Sequence, residues 1–580
     1  MNLWGTISPC DTWRDMATLA THRIFCQLFP FSPKQPETIP PFEKQIMPPD
    51  SPDRTLDLAV LAIYLIAVVG YGCWFAWRSG SSEQFMSAGR SIPGWAVGMS
   101  IVGSYISSIS FIANPGKAYN DNWNAFVLAI SMPLAAWISV KWFVPFYRRS
   151  GQVSAYEHFE ARFGPWARTY GVVCFLLTQL FRLGTILYLL ALALAPLVGL
   201  DVTTIIIISG IAITIYPLLG GTEGVIWTGV VQSGVLVAGV VVCLIAVVLE
   251  IQGGAPELFR VAIANHKFSL GSFSDSISQS TFWVMLVFGL VTHLQNFGID
   301  QGYIQRYATA KSDTDAGRSV WMGGLCFIPL SAAFFFIGTA LFVLYGQRPG
   351  ELAEGIKPDA VFPHFIGREL PPGVMGLVLA AIFSAAMDSN LNCCATLYLC
   401  DIHRRYFRPQ ASERESMWVL HGSTLVMGAL SIGAAVAMIQ VKTALDAWWK
   451  LAGIFSGGML GLFLLGILSR RAQSKHAAMG VGAGVVVIAW MTFSPLWRDA
   501  QKKTYLLSHP ELSKEQLNAW WNESSLSWLA SPFHDNLIIV AGTLTILAVG
   551  LLLSRFSERQ IREVRTDSSP ESTARLEPSV

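Results

Sequence analysis

The chain has 580 residues, of which 52% are hydrophobic and only 13% charged, with a formal net charge of +2. Soluble domains carry about 25% charged residues, so this composition excludes an ordinary soluble enzyme and a disordered chain. The small net charge argues against nucleic-acid binding.

Taken in chain order, residues 1–56 form an extension that mixes Pro, Trp, Cys and charge and lacks a signal-peptide core. It reads either as disordered or as the product of a misplaced start. Met47 stands just before the first apolar block, and we read residues 1–46 as mis-started. A transmembrane domain, 57–556, follows. It predicts about 13 spans of bilayer length, at 57–77, 95–113, 125–146, 167–197, 203–219, 228–250, 281–298, 320–345, 373–399, 417–439, 446–468, 478–495 and 536–555. Residues 557–580 are polar and read as a disordered tail. Cys73, Cys174, Cys243, Cys326, Cys393, Cys394 and Cys400 fall in or beside apolar blocks, as buried thiols do.

Lys and Arg set the orientation. Arg78 and Arg90, Arg148, Arg149, Arg162 and Arg168, Arg306, Lys311 and Arg318, Arg404, Arg405, Arg408 and Arg414, and Arg470, Arg471 and Lys475 all fall on one side. An odd number of spans then places the N-terminus outside and the C-terminus in the cytoplasm, in a plasma (inner) membrane.

Polar groups inside spans need a reason. Span 2 carries Gly103-Ser-Tyr-Ile-Ser-Ser108, and span 7 carries Gln295-Asn-Phe-Gly298. Ser and Asn compete for backbone hydrogen bonds, so both stretches predict unwound helix. Paired interruptions point to a transporter binding site, and freed carbonyls suit a cation. Arg182 lies deep in span 4, where burial costs roughly 2.5–3.5 kcal/mol. A solute carboxylate would offset that cost, and so would an internal partner such as Asp388. In span 9, Ser384, Asp388 and Asn392 are spaced for one helix face. Thr292, His293, Gln295 and Asn296 accompany the span 7 break. His293 reads equally as solute-facing or as a neutral structural residue. Gly453, Gly457, Gly458 and Gly461 in span 11 read as a packing surface.

These segments resemble the sodium:solute symporter family. The likeness rests on Ser87-Ala-Gly-Arg-Ser-Ile-Pro-Gly-Trp95, Ser154-Ala-Tyr-Glu-His-Phe-Glu-Ala-Arg-Phe163, Gly220-Gly-Thr-Glu-Gly-Val-Ile-Trp-Thr228 with Gln232, Asp300-Gln-Gly-Tyr-Ile-Gln-Arg-Tyr307, and Asp388-Ser-Asn-Leu-Asn392 nine residues before Asp401. The resemblance implies an all-α, leucine-transporter-type core of two inverted five-helix repeats, about 95–250 and 281–468. It also implies no enzymatic activity and sodium-driven import of a small organic solute, either carboxylate-bearing (sialic-acid-like or another organic anion) or a sugar. Sodium is then the co-transported ion, and the partners are solute, sodium and lipid, with no obligate protein partner.

The chain looks most like the sialic-acid type. That likeness implies solute contacts at Arg182, Tyr105, Ser107, Ser110, His293 and Asn296. It implies a sodium site from the Gly103 and Ile106 carbonyls, the Ala385 carbonyl, and Asp388 and Ser389. The sequence departs from the family pattern in two places, the first at that site. Span 9 reads as if three residues were deleted, and an alternative register replaces the pair Asp388 and Ser389 by Ala385 and Ala386. Gly229 stands where the family usually has Asp. A proton-coupled or uncoupled transporter of the same fold, and a membrane sensor, are the competing readings.

Overall fold

The computed structural model describes residues 54–76, 92–150, 154–387, 390–441 and 443–567. The early extension, the tail beyond 567, Arg78, Arg90, Asp388 and Ser389 lie outside the described residues.

The described residues are almost wholly helical, with a single parallel bridge between Ile92 and Ala310. The principal helices are α1 (Thr55–Ala76), α2 (Gly94–Tyr105), α3 (Asn114–Asn120), α4 (Pro165–Val198), α5 (Val202–Leu249), α6 (Phe282–Ile299), α7 (Gln301–Ala308), α8 (Asp313–Gln347), α9 (Pro358–Glu369), α10 (Val374–Ala386), α11 (Asn390–Leu397), α12 (Glu413–Met438), α13 (Ala444–Ser456), α14 (Met459–Leu468), α15 (Ser474–Ser508) and α16 (Ile538–Asp567). Residues Trp123–Ser150 add a further span of shorter helical pieces.

Among the described residues, nine helical stretches are long and apolar enough to cross a bilayer, or eleven if each bent pair counts once. Thr55–Tyr71 and Val202–Ile215 are apolar but shorter. This is a multi-pass membrane protein. Its helix starts follow local capping chemistry. Asp201, Thr281, Ser312 and Ser412 each accept a hydrogen bond from the backbone N–H three residues on.

The break expected in span 2 is present. Helix α2 ends at Tyr105, Ile106 is extended (φ −104°, ψ 102°), and the chain resumes at Ile109 bent by 54°. The other expectations need correction. In span 7 the helix runs unbroken through Gln295–Gly298 and stops at Ile299. The interruption falls on Asp300, whose carboxylate accepts from Gly302 N and so starts α7. The second strongly bent pair is α13 and α14, at 43°. There Gly457 and Gly458 sit between helices, and Thr543 Oγ1 donates to the Gly457 carbonyl at 2.9 Å.

Span 9 is not one helix. Helix α10 ends at Ala386, Met387 leaves the helical region (ψ 56°), and α11 begins at Asn390. Ser384 and Asn392, expected on one face with Asp388, thus fall on two helices, and Asp388 lies outside the described residues. Spans 5 and 6 are joined in the opposite sense, because α5 is helical through the expected loop at 220–227. At 48 residues it would run to about 72 Å if straight, and it contains one span of bilayer length, Gly224–Leu249, after the shorter apolar stretch Val202–Ile215.

The arginine-rich loops gather at one end of the bundle. Arg168 pairs with buried Asp401 and, at 3.0 Å, with Glu160. Glu160 also pairs with Arg405, and Ser154 Oγ donates to Asp401 at 2.8 Å. Arg148 pairs with Asp313 at 2.5 Å and donates to the Ala310 carbonyl. Burying these charges as partnered sets keeps the close-packed end from stranding any of them.

Candidate functional site

Breaking a helix frees carbonyls, and the break after α2 decides what lies around it. In an unbroken helix the Ser104 carbonyl would accept from residue 108. Here Arg182 Nη2 donates to it at 3.0 Å, and Tyr303 O–H donates to it at 3.4 Å. Ser110 Oγ reaches back across the break to the Tyr105 carbonyl at 3.2 Å. Arg182 is thus held against the interrupted backbone of α2 by its own guanidinium. The cation that the freed carbonyl called for is, at Ser104, supplied by the protein.

A cavity of about 1040 Å³, mouth included, lies beside this contact. Arg182, Tyr105, Ser107, Ser110, His293 and Asn296 all line it. The structure therefore brings the six expected solute residues together from α2, the break, α4 and α6. Trp448 and Trp449 line it as well. Aromatic rings form one wall. Tyr105 packs against His293, Phe297, Tyr303 and Phe327 at centroid distances of 4.8–5.8 Å.

Gln179 and Asp300 also line the cavity. Gln179 lies three residues before Arg182, hence on the same helix face. That spacing would have flagged it from sequence. Its Nε2 donates to Asp300 Oδ2 at 3.1 Å. A carboxylate only accepts, so the Gln179 amide is oriented with Oε1 away from that bond. Gln179 Oε1 is buried without a hydrogen-bond partner in the protein, as are Thr292 Oγ1, His293 Nδ1 and Gln295 Oε1. His293 Nε2 lies 3.2 Å from the Leu128 carbonyl, so Nε2 carries the proton and Nδ1 is an acceptor. The cavity thus pairs one guanidinium with several unanswered polar atoms.

The expected sodium ligands are placed less completely. Gly103 and Ala385 line a second, smaller cavity together with Ser100, Gln232, Ser384 and Arg306. Ile106 is buried at the break but is not part of that wall. Ser108 Oγ donates to the Ile382 carbonyl at 3.4 Å, which joins the break to α10 directly. Arg306 Nε donates to Ser100 Oγ at 3.1 Å, so a guanidinium shares this wall. Among the described residues, no cluster of three His, Cys, Asp or Glu side chains could hold a metal ion. Alkali-metal sites built on carbonyls and hydroxyls do not require such a cluster.

The profile of the sodium:solute symporter family matches residues 85–484. The chain is 33% identical over 444 residues to the sodium/sialic acid symporter NanT of Aliivibrio fischeri, covering 75% of this chain and 88% of the relative. Identity to the sodium/sialic acid symporter SiaT of Proteus mirabilis is 34% over 440 residues, with the same coverage. The human sodium-coupled monocarboxylate transporter 1 is 28% identical over 532 residues, covering 86% of each chain. Among solved structures, the substrate-bound outward-open state of a Na+-coupled sialic acid symporter aligns with a TM-score of 0.75 at 28% identity, covering 86% of this chain and 98% of that one. The chain belongs to the sodium:solute symporter family, and it is a sodium-coupled importer of a small organic solute, not an enzyme.

Proposed function

We propose that the solute is a sialic-acid-type sugar acid, with its carboxylate on Arg182 and its hydroxyl and amide groups on the opposite wall. The observation that carries this reading is the set of unpartnered polar atoms beside Arg182. Two of them, Gln179 Oε1 and His293 Nδ1, are fixed as acceptors by their neighbours. A polyhydroxylated acid supplies donors to each. A short monocarboxylate, the substrate class named for one relative, would satisfy Arg182 and leave the rest to water. Unmade bonds to buried groups cost about 1–3 kcal/mol each, enough to separate the two classes.

For sodium, the carbonyls of Gly103, Ile106 and Ala385, with Asp388 and Ser389, form the site in this reading. The shared cavity of Gly103 and Ala385 supports it. Eleven spans with two shorter apolar helices support a count of thirteen. Inverted repeats at about 95–250 and 281–468 then follow the family's architecture. The common end of the arginine-rich loops supports an outside N-terminus and a cytoplasmic C-terminus.

The test is uptake of labelled N-acetylneuraminate into proteoliposomes. An inward sodium gradient should drive accumulation, and a tenfold excess of lactate should not compete. Equal uptake without the gradient would overturn sodium coupling, and full competition by lactate would overturn the sugar-acid assignment.

A further inference from the structure

Helix α1 lies before the proposed repeats, yet it is bonded to the helix that carries Ala385. The N-terminus of α10 has no cap of its own, because its N-cap is Gly373 at φ +85°. Asp57 of α1 supplies one. Its fully buried carboxylate accepts from Gly373 N at 2.7 Å and from Gly376 N at 2.8 Å. A carboxylate there answers two orphan donors and the positive end of the helix dipole. Arg54 stands 3.5 Å from the other oxygen and donates to the Gly367 carbonyl. The two backbones meet so closely that a Cβ on Gly376 would lie 2.6 Å from the Asp57 carbonyl oxygen.

A second bond fixes the other end of α10. Ser384 Oγ donates its only proton to the Ala380 carbonyl at 2.8 Å. The Tyr64 hydroxyl, in contact with Ser384 Oγ, is therefore the donor in that pair. Ser384 and Ala385 both line the small cavity with Gly103. From Asp57 to Tyr64 is about 10.5 Å of helix rise, and from Gly376 to Ser384 about 12 Å. The two helices thus run parallel and are pinned at both ends with matched spacing. Neither can slide or turn without the other.

We propose that Asp57 and Tyr64 are positioning residues for sodium, and that α1 braces α10 so that the Ala385 carbonyl faces the break after α2. The proposal rests on the reading of Ala385 as a sodium ligand. A loosened brace would misplace one wall of the ion site and leave the solute cavity, which α10 does not line, in place.

The experiment is sodium-dependent uptake of N-acetylneuraminate by Tyr64→Phe and Asp57→Asn in proteoliposomes, with Ser389→Ala as the direct-ligand comparison. Tyr64→Phe removes one oxygen and keeps the ring, so it tests the brace even where Asp57→Asn fails to fold. The expected result is a rise of about three- to tenfold in the sodium concentration giving half-maximal uptake, the scale of one lost hydrogen bond. The solute KM at saturating sodium should stay within about twofold. A sodium dependence unchanged in Tyr64→Phe and in folded Asp57→Asn, while Ser389→Ala shifts it, overturns the brace alone. A shift in Tyr64→Phe with none in Ser389→Ala supports the brace and overturns the ligand assignment. Equal increases in the sodium requirement and the solute KM would also overturn the proposal, since they mark a general distortion.

Discussion

Replacing Arg182 by Ala separates two roles that the structure superimposes. The guanidinium donates to the Ser104 carbonyl and also faces the solute cavity. If it receives the solute carboxylate, its loss strands a buried anion, and losing one partner of a buried pair costs about 3–5 kcal/mol. At 1.4 kcal/mol per tenfold, that weakens binding by roughly two to three and a half orders of magnitude. The Ser104 bond, made by a charged donor to a neutral carbonyl, is worth about 1.5–3 kcal/mol, and its loss affects every solute alike. Comparing the acid with its methyl ester isolates the first term. In Arg182→Ala, affinities measured by solute-induced thermal shift or tracer binding should fall at least a hundredfold more for the acid than for the ester, each taken relative to its own wild-type value. Arg182→Lys should recover part of the acid's affinity, since a point charge cannot reproduce a bidentate fork. Equal losses for acid and ester would refute the carboxylate role and leave Arg182 as a brace for the broken helix.

Three further outcomes follow from contacts elsewhere. Thr292→Val removes a buried hydroxyl that has no partner in the protein; thermal stability should hold or rise, while sugar-acid affinity falls about three- to tenfold. An unchanged affinity would remove Thr292 from the solute wall. Gly461→Ala places a Cβ 2.4 Å from the Thr543 carbonyl oxygen on α16; overpacking of this kind costs about 1–3 kcal/mol and should lower the thermal midpoint, whereas Gly482→Ala, with nothing within 4 Å, should not. Burial pushes the Asp359 carboxyl up to about 6, against the Ala444 N–H and Lys357, which pull it down. The folded chain therefore holds this proton more tightly than the unfolded one. The stability this group contributes is greatest below its ordinary value of 3.8 and is lost as pH rises towards 6. Thermal midpoints in detergent should show wild type losing ground to Asp359→Asn between pH 4 and 6; parallel curves would refute the assignment.

The spans and the first break were legible because both are strong local signals. Twenty apolar residues have few alternatives to a membrane helix. Gly103–Ser108 places small and hydroxylated residues where helix hydrogen bonds are easiest to lose. Arg182 was legible through its cost alone. What the sequence obscured depends on partners distant along the chain. Gln295–Gly298 carries the same polar residue types as the α2 break, yet it stays helical because Asp300 caps the next helix and takes the interruption two residues beyond. The glycines of span 11 do pack closely, as expected, but they also bend the helix. That bend is held by Thr543, some 86 residues away. Span 9 kept its apolar periodicity on both sides of the polar run, so periodicity alone could not show that α10 ends at Ala386.

The two helix interruptions nearest the cavity are coupled by composition as well as by position. Arg182 takes the carbonyl freed at Ser104. Gln179, one turn earlier, holds the Asp300 carboxylate that starts α7. One face of α4 thus touches both interrupted helices, with a cation on one and an amide on the other. In the proposed reading, a solute carboxylate at Arg182 would share the guanidinium that holds the Ser104 carbonyl. Any hydrogen bonding that Arg182 withdrew from Ser104 would leave this buried carbonyl with the longer bond from the Tyr303 hydroxyl, at 3.4 Å, and so favour a further donor or cation beside it. Ser104 is adjacent to Gly103 and lines both cavities. On that placement, solute bound on one side of the break would raise the value of a cation on the other. On the proposed placement of solute and sodium, their coupling would run through the hydrogen bonds of a single peptide segment.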